Sequence, residues 1–149
     1  MVTMVGTEKT LPGLVESLLL LEHDAIAAYD QTIERLQEPT RKQKVAEFKA
    51  DHERHVRELT ALARAVGATV HTEGVAKEYL TTGKVALASM VGDSAILKAM
   101  RTNEEDTVTA YDRAARHTEA TTDARVMFER AHADELRHRE WMSQTAAAA

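Results

Sequence analysis

Four segments of the chain carry apolar residues at alternating intervals of three and four positions, and this spacing constrains the fold more than any other feature. It places one apolar stripe along one face of a helix, as in helices that pack into a bundle. Residues that interrupt helices are rare, with six Gly and two Pro, and aromatic residues make up only 4% of the chain. The sequence therefore predicts an all-α protein built as a four-helix bundle.

Capping residues and helix breakers set the expected bounds of these helices. Thr10 and Pro12 open the first helix, Gly67 ends the second, and Asp93 or Ser94 is expected to cap the third. A chain of 149 residues is expected to form one domain, residues 1–149. We expect the helices over residues 11–37, 40–66, 94–118 and 122–144.

The connections predict the topology. Short turns join the first helix to the second and the third to the fourth, so each pair is expected to form an antiparallel hairpin. Residues 67–93 are much longer than a simple bundle turn and are long enough to cross the whole bundle, with room for a short helix. The second and third helices are therefore expected to run parallel.

Polar residues interrupt all four apolar stripes. Counted from the turn of each hairpin, they lie at similar depths, roughly 20 to 24 Å along the helix at ~1.5 Å per residue. Two hairpins packed face to face would gather them at the centre of the bundle. The six residues are Glu22, His52, His55, Glu104, Glu135 and His138.

The two hairpins also resemble each other in sequence. Residues 22–30, "EHDAIAAYD", align with residues 104–112, "EEDTVTAYD". Residues 51–55, "DHERH", align with residues 134–138, "DELRH". The chain therefore looks like one helical hairpin written twice.

The chemistry of the six residues indicates a metal site. Burying three carboxylates close together costs several kcal/mol each unless a cation or protons compensate them. Mixed carboxylate and imidazole ligands suit iron, manganese or zinc better than calcium or magnesium. We expect one or two ions. A buried network of ion pairs and hydrogen bonds is the alternative.

The chain resembles the ferritin-like superfamily, which includes bacterioferritin and rubrerythrin, over roughly residues 11–144. Glu22 and Glu104 match the Glu of that family's first and third helices, and Glu135 with His138 matches its fourth-helix Glu-x-x-His. The resemblance implies a di-iron or manganese centre that reacts with oxygen or peroxide. It further implies a ferroxidase- or peroxidase-like oxidoreductase in iron handling or oxidative stress.

The same resemblance gives roles to three further residues. Asp51 and Asp134 each stand where an Asp of the family orients a ligating His. Tyr29 matches a Tyr that recurs near the metals, and it is the candidate for a redox-active group. For Tyr111, at the equivalent position in the second hairpin, we expect a packing role.

The second helix departs from the family pattern. Its Glu-x-x-His is replaced here by His52-x-x-His55. A neutral imidazole does not bridge metals as a carboxylate does, and three Glu leave −3 against the +4 of two divalent ions. The change is expected to weaken the second ion or to recruit a hydroxide. A slip that brings in Glu53 is the other possibility, although Glu53 lies off the stripe. Glu53 also stands where the family's haem-binding Met would be, so no haem is expected.

Composition excludes several classes of function. A net charge of −5 with scattered charges argues against nucleic-acid binding. There is no cysteine, no apolar run approaching the ~18 residues of a membrane span, and no leader with a basic and then an apolar region. We expect a cytoplasmic homodimer. The competing functions are a non-enzymatic dimerisation or interaction bundle with a degenerate site, and a structural zinc protein.

Overall fold

Four long helices make up the computed structural model, which describes residues 3–70, 87 and 89–149. They are α1 (Leu11–Arg35), α2 (Pro39–Val66), α3 (Asp93–Ala115) and α4 (Thr122–Ala148). The described residues contain no β-strand. The predicted all-α bundle is therefore confirmed.

Local capping chemistry starts and ends most of these helices. The Thr10 side chain accepts a hydrogen bond from the Gly13 amide at the start of α1, at 3.2 Å. Thr121 accepts one from the Ala124 amide at the start of α4, also at 3.2 Å. Gly67, with φ of 76°, ends α2 in the left-handed conformation that favours glycine.

The start of α3 differs from the expectation that Asp93 or Ser94 caps it. Gly92 precedes the helix, and no side chain of the described residues caps its first turn. The Asp93 carboxylate instead accepts hydrogen bonds from the amides of Gln37, at 2.8 Å, and Glu38, at 3.2 Å. It also pairs with Arg41 at 2.9 Å. Asp93 therefore fastens the turn between α1 and α2 to the start of α3.

This contact fixes the direction of the helices. Since α3 begins at the end of the bundle where α2 also begins, α2 and α3 run in the same direction. In the bundle α1 packs on α2 and α3, and α4 packs on α2 and α3. The expected crossover and its short helix fall largely on residues 71–86 and 88, which lie outside the described residues.

The helix ends also differ from expectation. Leu36 takes an extended conformation, so α1 ends at Arg35, shortly before a proline that disfavours continued helix. The last helix continues past residue 144 to Ala148. Its final turn is held because Ala146 is only 4% exposed and its carbonyl accepts a hydrogen bond from Ser94, at 2.9 Å.

Two apolar clusters fill the ends of the bundle. One contains the start of α1 and the end of α2, and the other contains the start of α2 and the end of α4. Between them lies a layer of buried polar side chains. No helix within the described ranges is long and apolar enough to span a membrane. The first cluster includes Leu14, Leu59, Ala114 and Phe128, and the second includes Phe48, Leu97, Met100 and Met142.

Candidate metal centre

The polar layer contains all six residues that interrupt the apolar stripes. Each is buried, with at most 1% of its surface exposed. One helix contributes Glu22, the second His52 and His55, the third Glu104, and the fourth Glu135 and His138. The helical periodicity and the matching lengths of the two hairpins thus bring the six residues together.

Their ligand atoms form two overlapping groups. Within each group one atom from every residue lies within 4.8 Å of the others. Group 1, on the α1–α2 side, contains Glu22, His52, His55 and Glu135. Group 2, on the α3–α4 side, contains His52, Glu104, Glu135 and His138. His52 and Glu135 belong to both groups.

The ring of His52 lies between the two groups. Its Nδ1 is 2.6 Å from Glu22 Oε2 and 3.5 Å from Glu135 Oε1. On the other side its Nε2 is 3.6 Å from Glu104 Oε1, too far for a good hydrogen bond. Each ring nitrogen therefore faces a different group.

Two buried polar atoms mark the centre of this layer. Among the side chains of the layer that the structure describes, His52 Nε2 and Glu135 Oε1 lack a hydrogen-bond partner. An unsatisfied buried polar atom costs about 1–3 kcal/mol. Both atoms belong to the residues shared by the two groups, where a bound cation would contact them. The donor set, three carboxylates and three imidazoles, fits a divalent transition metal.

An aspartate from the opposite hairpin holds each of two site histidines. His55 Nε2 lies 2.9 Å from Asp134, and His138 Nε2 lies 2.8 Å from Asp51. An ionised carboxylate only accepts hydrogen bonds, so in each ring Nε2 carries the proton and donates it. Nδ1 of each ring then faces the carboxylates of the layer. The Asp residues contact the imidazoles as the resemblance implied, but they do so across the hairpins.

Two tyrosines hold carboxylates in the same reciprocal way. The Tyr29 hydroxyl donates a short hydrogen bond to Glu104. The Tyr111 hydroxyl donates one to Glu22 Oε1 at 2.5 Å. Tyr111, for which only packing was expected, therefore lines the polar layer. Its position in the repeat, seven residues after Glu104 as Tyr29 is after Glu22, was the available signal.

Sequence reasoning missed two further side chains at the layer. The Thr107 hydroxyl lies 3.0 Å from Glu104 Oε2 and 3.2 Å from Glu135 Oε2, within reach of both carboxylates. The Phe48 ring packs on the His138 ring, with centroids 4.3 Å apart. Both residues occupy stripe positions that read as ordinary core. Glu53, the possible substitute for His52, is exposed and lies outside the layer.

Arginines on α2 and α4 cover the two aspartates. Arg54 contacts Asp51 at 3.0 Å and also pairs with Asp134. Arg137 contacts Asp51 at 2.9 Å and Asp134 at 3.1 Å. Each aspartate thus lies between a buried imidazole and the solvent-facing guanidinium groups. This cluster closes the α2–α4 side of the layer.

The three carboxylates differ in their tendency to ionise. Burial alone would raise the pKa of Glu22, but the adjacent His52 and His55 rings lower it to about 2. Burial also opposes ionisation of Glu104, but hydrogen bonds to the His138 and His52 rings hold its pKa well below the usual range. For Glu135, burial raises the pKa above its ordinary value.

The imidazoles shift in the opposite direction. Burial favours their neutral forms, but the neighbouring carboxylates, with Glu22 the strongest, raise the pKa of His55 to about 11. The hydrogen bond to Asp51 is the main opposing effect at His138 and raises its pKa to about 10. Without a cation, protons on the rings therefore neutralise the carboxylates. A divalent ion would take the place of those protons.

A protein-family model matches the chain, whereas no curated protein and no solved structure matches it. The family model is described as Domain of unknown function (DUF2383), and it matches residues 14–117. The matched part contains Glu22, His52, His55 and Glu104 and ends before α4 begins. Since this part is more than half of the chain, the protein belongs to the family described as Domain of unknown function (DUF2383).

Proposed function

We propose that the protein binds one or two divalent iron or manganese ions in its polar layer and brings them to react with oxygen or peroxide. The ligands would be Glu22 and His55 in group 1, and Glu104 and His138 in group 2. His52 and Glu135 would contribute to both groups. In this proposal the protein is a ferritin-like oxidoreductase of iron handling or oxidative stress.

One observation supports metal binding above all others. Within the polar layer, as far as the structure describes it, the buried atoms that lack a hydrogen-bond partner belong to His52 and Glu135, the residues common to both groups. Every other ligand side chain of the layer is held by Tyr, Asp or a neighbouring ligand. The orphaned atoms thus lie where two ligand groups meet.

The choice of metal and reaction depends on the donor set and on the resemblance to ferritin-like proteins. Mixed carboxylate and imidazole ligands favour iron and manganese over calcium. Bound there, such a metal would supply one-electron chemistry towards oxygen or peroxide.

The surrounding residues hold the proposed ligands in fixed orientations. Tyr29 and Tyr111 fix the carboxylates of Glu104 and Glu22, and Asp51 and Asp134 fix the rings of His138 and His55. Outer contacts of this kind orient ligands and raise the basicity of an imidazole. The apolar clusters above and below keep water out, which strengthens every charge interaction inside the layer.

Elemental analysis of freshly purified protein tests the proposal most directly. We expect iron or manganese at one or two equivalents per chain. Anaerobic titration with iron(II) followed by oxygen should then produce a near-ultraviolet absorbance band. The variant Glu22→Gln should bind less metal, whereas Glu53→Gln, at an exposed neighbour of His52, should bind as the unmodified protein does. If neither iron nor manganese binds at stoichiometric levels, the proposal is wrong.

A second candidate function is favoured by the hydrogen bonds of the layer. His52 Nδ1 and His55 Nδ1 lie 2.6 and 3.1 Å from Glu22, so carboxylates and protonated rings already form a network without a cation. Such a network would serve a dimerisation or interaction bundle with a degenerate site. A thermal transition unchanged by chelators, together with protein purified free of metal, would favour this alternative.

A further inference from the structure

His52 and Glu135 occupy equivalent positions in the two hairpins, and both lie between the two ligand groups. Glu135 has two oxygens and directs one to each group. Its Oε1 lies 3.5 Å from Nδ1 of His52 and 3.5 Å from Nδ1 of His55, and its Oε2 lies 3.3 Å from Nδ1 of His138. Glu135 is thus placed to contact two ions at once.

His52 has the same two-sided placement. Nδ1 faces Glu22 in group 1, at 2.6 Å, and Nε2 faces Glu104 in group 2, at 3.6 Å. Packing holds the ring in this orientation, with its centroid 4.8 Å from that of Tyr29 and 5.2 Å from that of His138. The two nitrogens of an imidazole point in divergent directions, so a ring held in this way serves one group with each nitrogen.

We infer that His52 is a bridging ligand that binds one divalent ion through each ring nitrogen, as an imidazolate. This inference rests on the proposed metal-binding function and deepens it. Glu22 and His55 would complete the coordination of the first ion, and Glu104 and His138 would complete that of the second. Glu135 would join both ions as the carboxylate bridge.

Charge supports this assignment. Three glutamates supply −3, which leaves two divalent ions with an uncompensated positive charge if every imidazole stays neutral. When His52 binds through both nitrogens, the remaining N–H bond is replaced by a nitrogen–metal bond and the proton passes to solvent. The ring then carries −1, and four negative charges face the +4 of two ions. The step involves no oxidation or reduction.

A bridging His52 would reverse the effect expected of having His in place of the family's second-helix Glu. A neutral imidazole would weaken the second ion, whereas a bridging imidazolate retains it and links the two ions electronically. The chain would keep a two-metal centre with one carboxylate bridge replaced by a nitrogen bridge.

Copper(II) is a suitable probe because two copper ions joined by an imidazolate couple antiferromagnetically. We expect the unmodified protein to bind two copper ions per chain and to lose much of its electron paramagnetic resonance signal per copper on cooling. In His52→Gln only the path through the Glu135 carboxylate remains, so the coupling should weaken and much of the lost signal per bound copper should return. The matched variant His55→Gln removes an end ligand, so full loading should need more copper, but the loss of signal should persist.

The outcomes separate this inference from the proposed function. One ion per chain, two uncoupled ions, or coupling that is as strong in His52→Gln as in the unmodified protein would overturn the bridge and leave metal binding intact. No binding of copper, iron or manganese would overturn both. A crystal structure of the zinc-loaded unmodified protein gives an independent test, since anomalous peaks must lie beside both His52 nitrogens. Peaks beside one nitrogen alone would refute the bridge even if the variants fail to fold.

Discussion

The two hairpins of the bundle carry almost the same set of polar residues, and they differ at one decisive position. Each contributes a Tyr, an Asp, an Arg and a His in matching places, and each Tyr and Asp contacts a candidate ligand of the other hairpin. The α1–α2 hairpin has His52 where the α3–α4 hairpin has Glu135. The shared residues build the interface between the hairpins, and the one difference changes the charge of its centre.

This difference divides the six candidate ligands unequally. The α1–α2 hairpin supplies one carboxylate and two imidazoles, and the α3–α4 hairpin supplies two carboxylates and one imidazole. The surrounding contacts are nevertheless reciprocal. The reciprocal contacts therefore set the geometry of the polar layer, and the difference between His52 and Glu135 sets the balance of its charge. Variants can change one property while the other is kept.

The largest effect is expected from Glu135→Gln, which removes the carboxylate common to both ligand groups. Burial raises the pKa of Glu135, so the neutral amide should fold well. We expect the affinity for both ions to fall by more than about 100-fold, beyond the losses typical of residues that only support ligands. Calorimetric titration with manganese measures it, with exposed Glu105→Gln as the control. An effect on one ion alone would show that Glu135 serves only one group.

The tyrosine pair tests whether the hairpins are equivalent in stability. Tyr29→Phe and Tyr111→Phe each remove a hydroxyl that donates to a buried, ionised glutamate. Each should lower the free energy of unfolding of the metal-free protein by about 1.5 to 3 kcal/mol. Urea unfolding in the presence of a chelator measures both variants. Losses that differ by more than about 1 kcal/mol would show that the repeat is not energetically symmetric.

The aspartate pair should affect the two metal groups separately. Asp134→Asn loosens His55 in group 1, and Asp51→Asn loosens His138 in group 2. Each change should reduce the affinity of one ion by about 10 to 100-fold and spare the other. Competition with a coloured chelator at two equivalents of zinc resolves the two affinities. If both ions weaken equally in each variant, the groups act as one unit.

The smallest effect is expected at the two ends of the bundle, where hydrogen bonds join the hairpins far from the polar layer. Asp93→Asn should lower the free energy of unfolding by about 1 to 2 kcal/mol at neutral pH. Glu119→Gln is the matched change at the other end, where Glu119 accepts a long hydrogen bond from the Leu11 amide at 3.4 Å, and it should cost less.

The effect of Asp93→Asn should depend on pH. Burial would raise the pKa of Asp93, but hydrogen bonds from the Gln37 amide and Arg41 lower it. A lowered pKa in the folded state means that the carboxylate stabilises the fold above its ordinary pKa, and that this contribution disappears as pH falls through the lowered value. The difference between the two proteins should therefore shrink below about pH 4. A constant difference across that range would contradict the pairing.

Much of the fold follows from the sequence because the stripes and the turns are local signals. The polar interruptions at Glu22, His52 and Glu135 also reveal depth, since rise per residue fixes how far each lies along its helix. The end of α4 was misjudged because a run of alanines reads as a frayed tail until packing of Ala146 holds it. Asp93 was misassigned as a cap because its true partners lie in another turn.

The supporting residues of the centre were harder to predict for a similar reason. Thr107 and Phe48 occupy ordinary core positions, and only the three-dimensional structure shows which carboxylate or ring they touch. The hydrogen bond from His138 to Asp51 could not be predicted either. The helical pattern shows on which face of its helix a residue lies, but not which residue it contacts across the bundle. The repeat contained a hint for Tyr111, since its counterpart Tyr29 had already been linked to the centre.

The reciprocal hydrogen bonds between the hairpins give the polar layer an internal two-fold symmetry. Each tyrosine or aspartate of the polar layer that reaches across has a counterpart reaching back, which is the arrangement that two identical half-length chains would form about a two-fold axis. A duplicated and fused gene of that kind retains the pairing of its halves while freeing each copy to diverge. The histidine at position 52 is then a change that no symmetric pair of identical chains could make on one side alone.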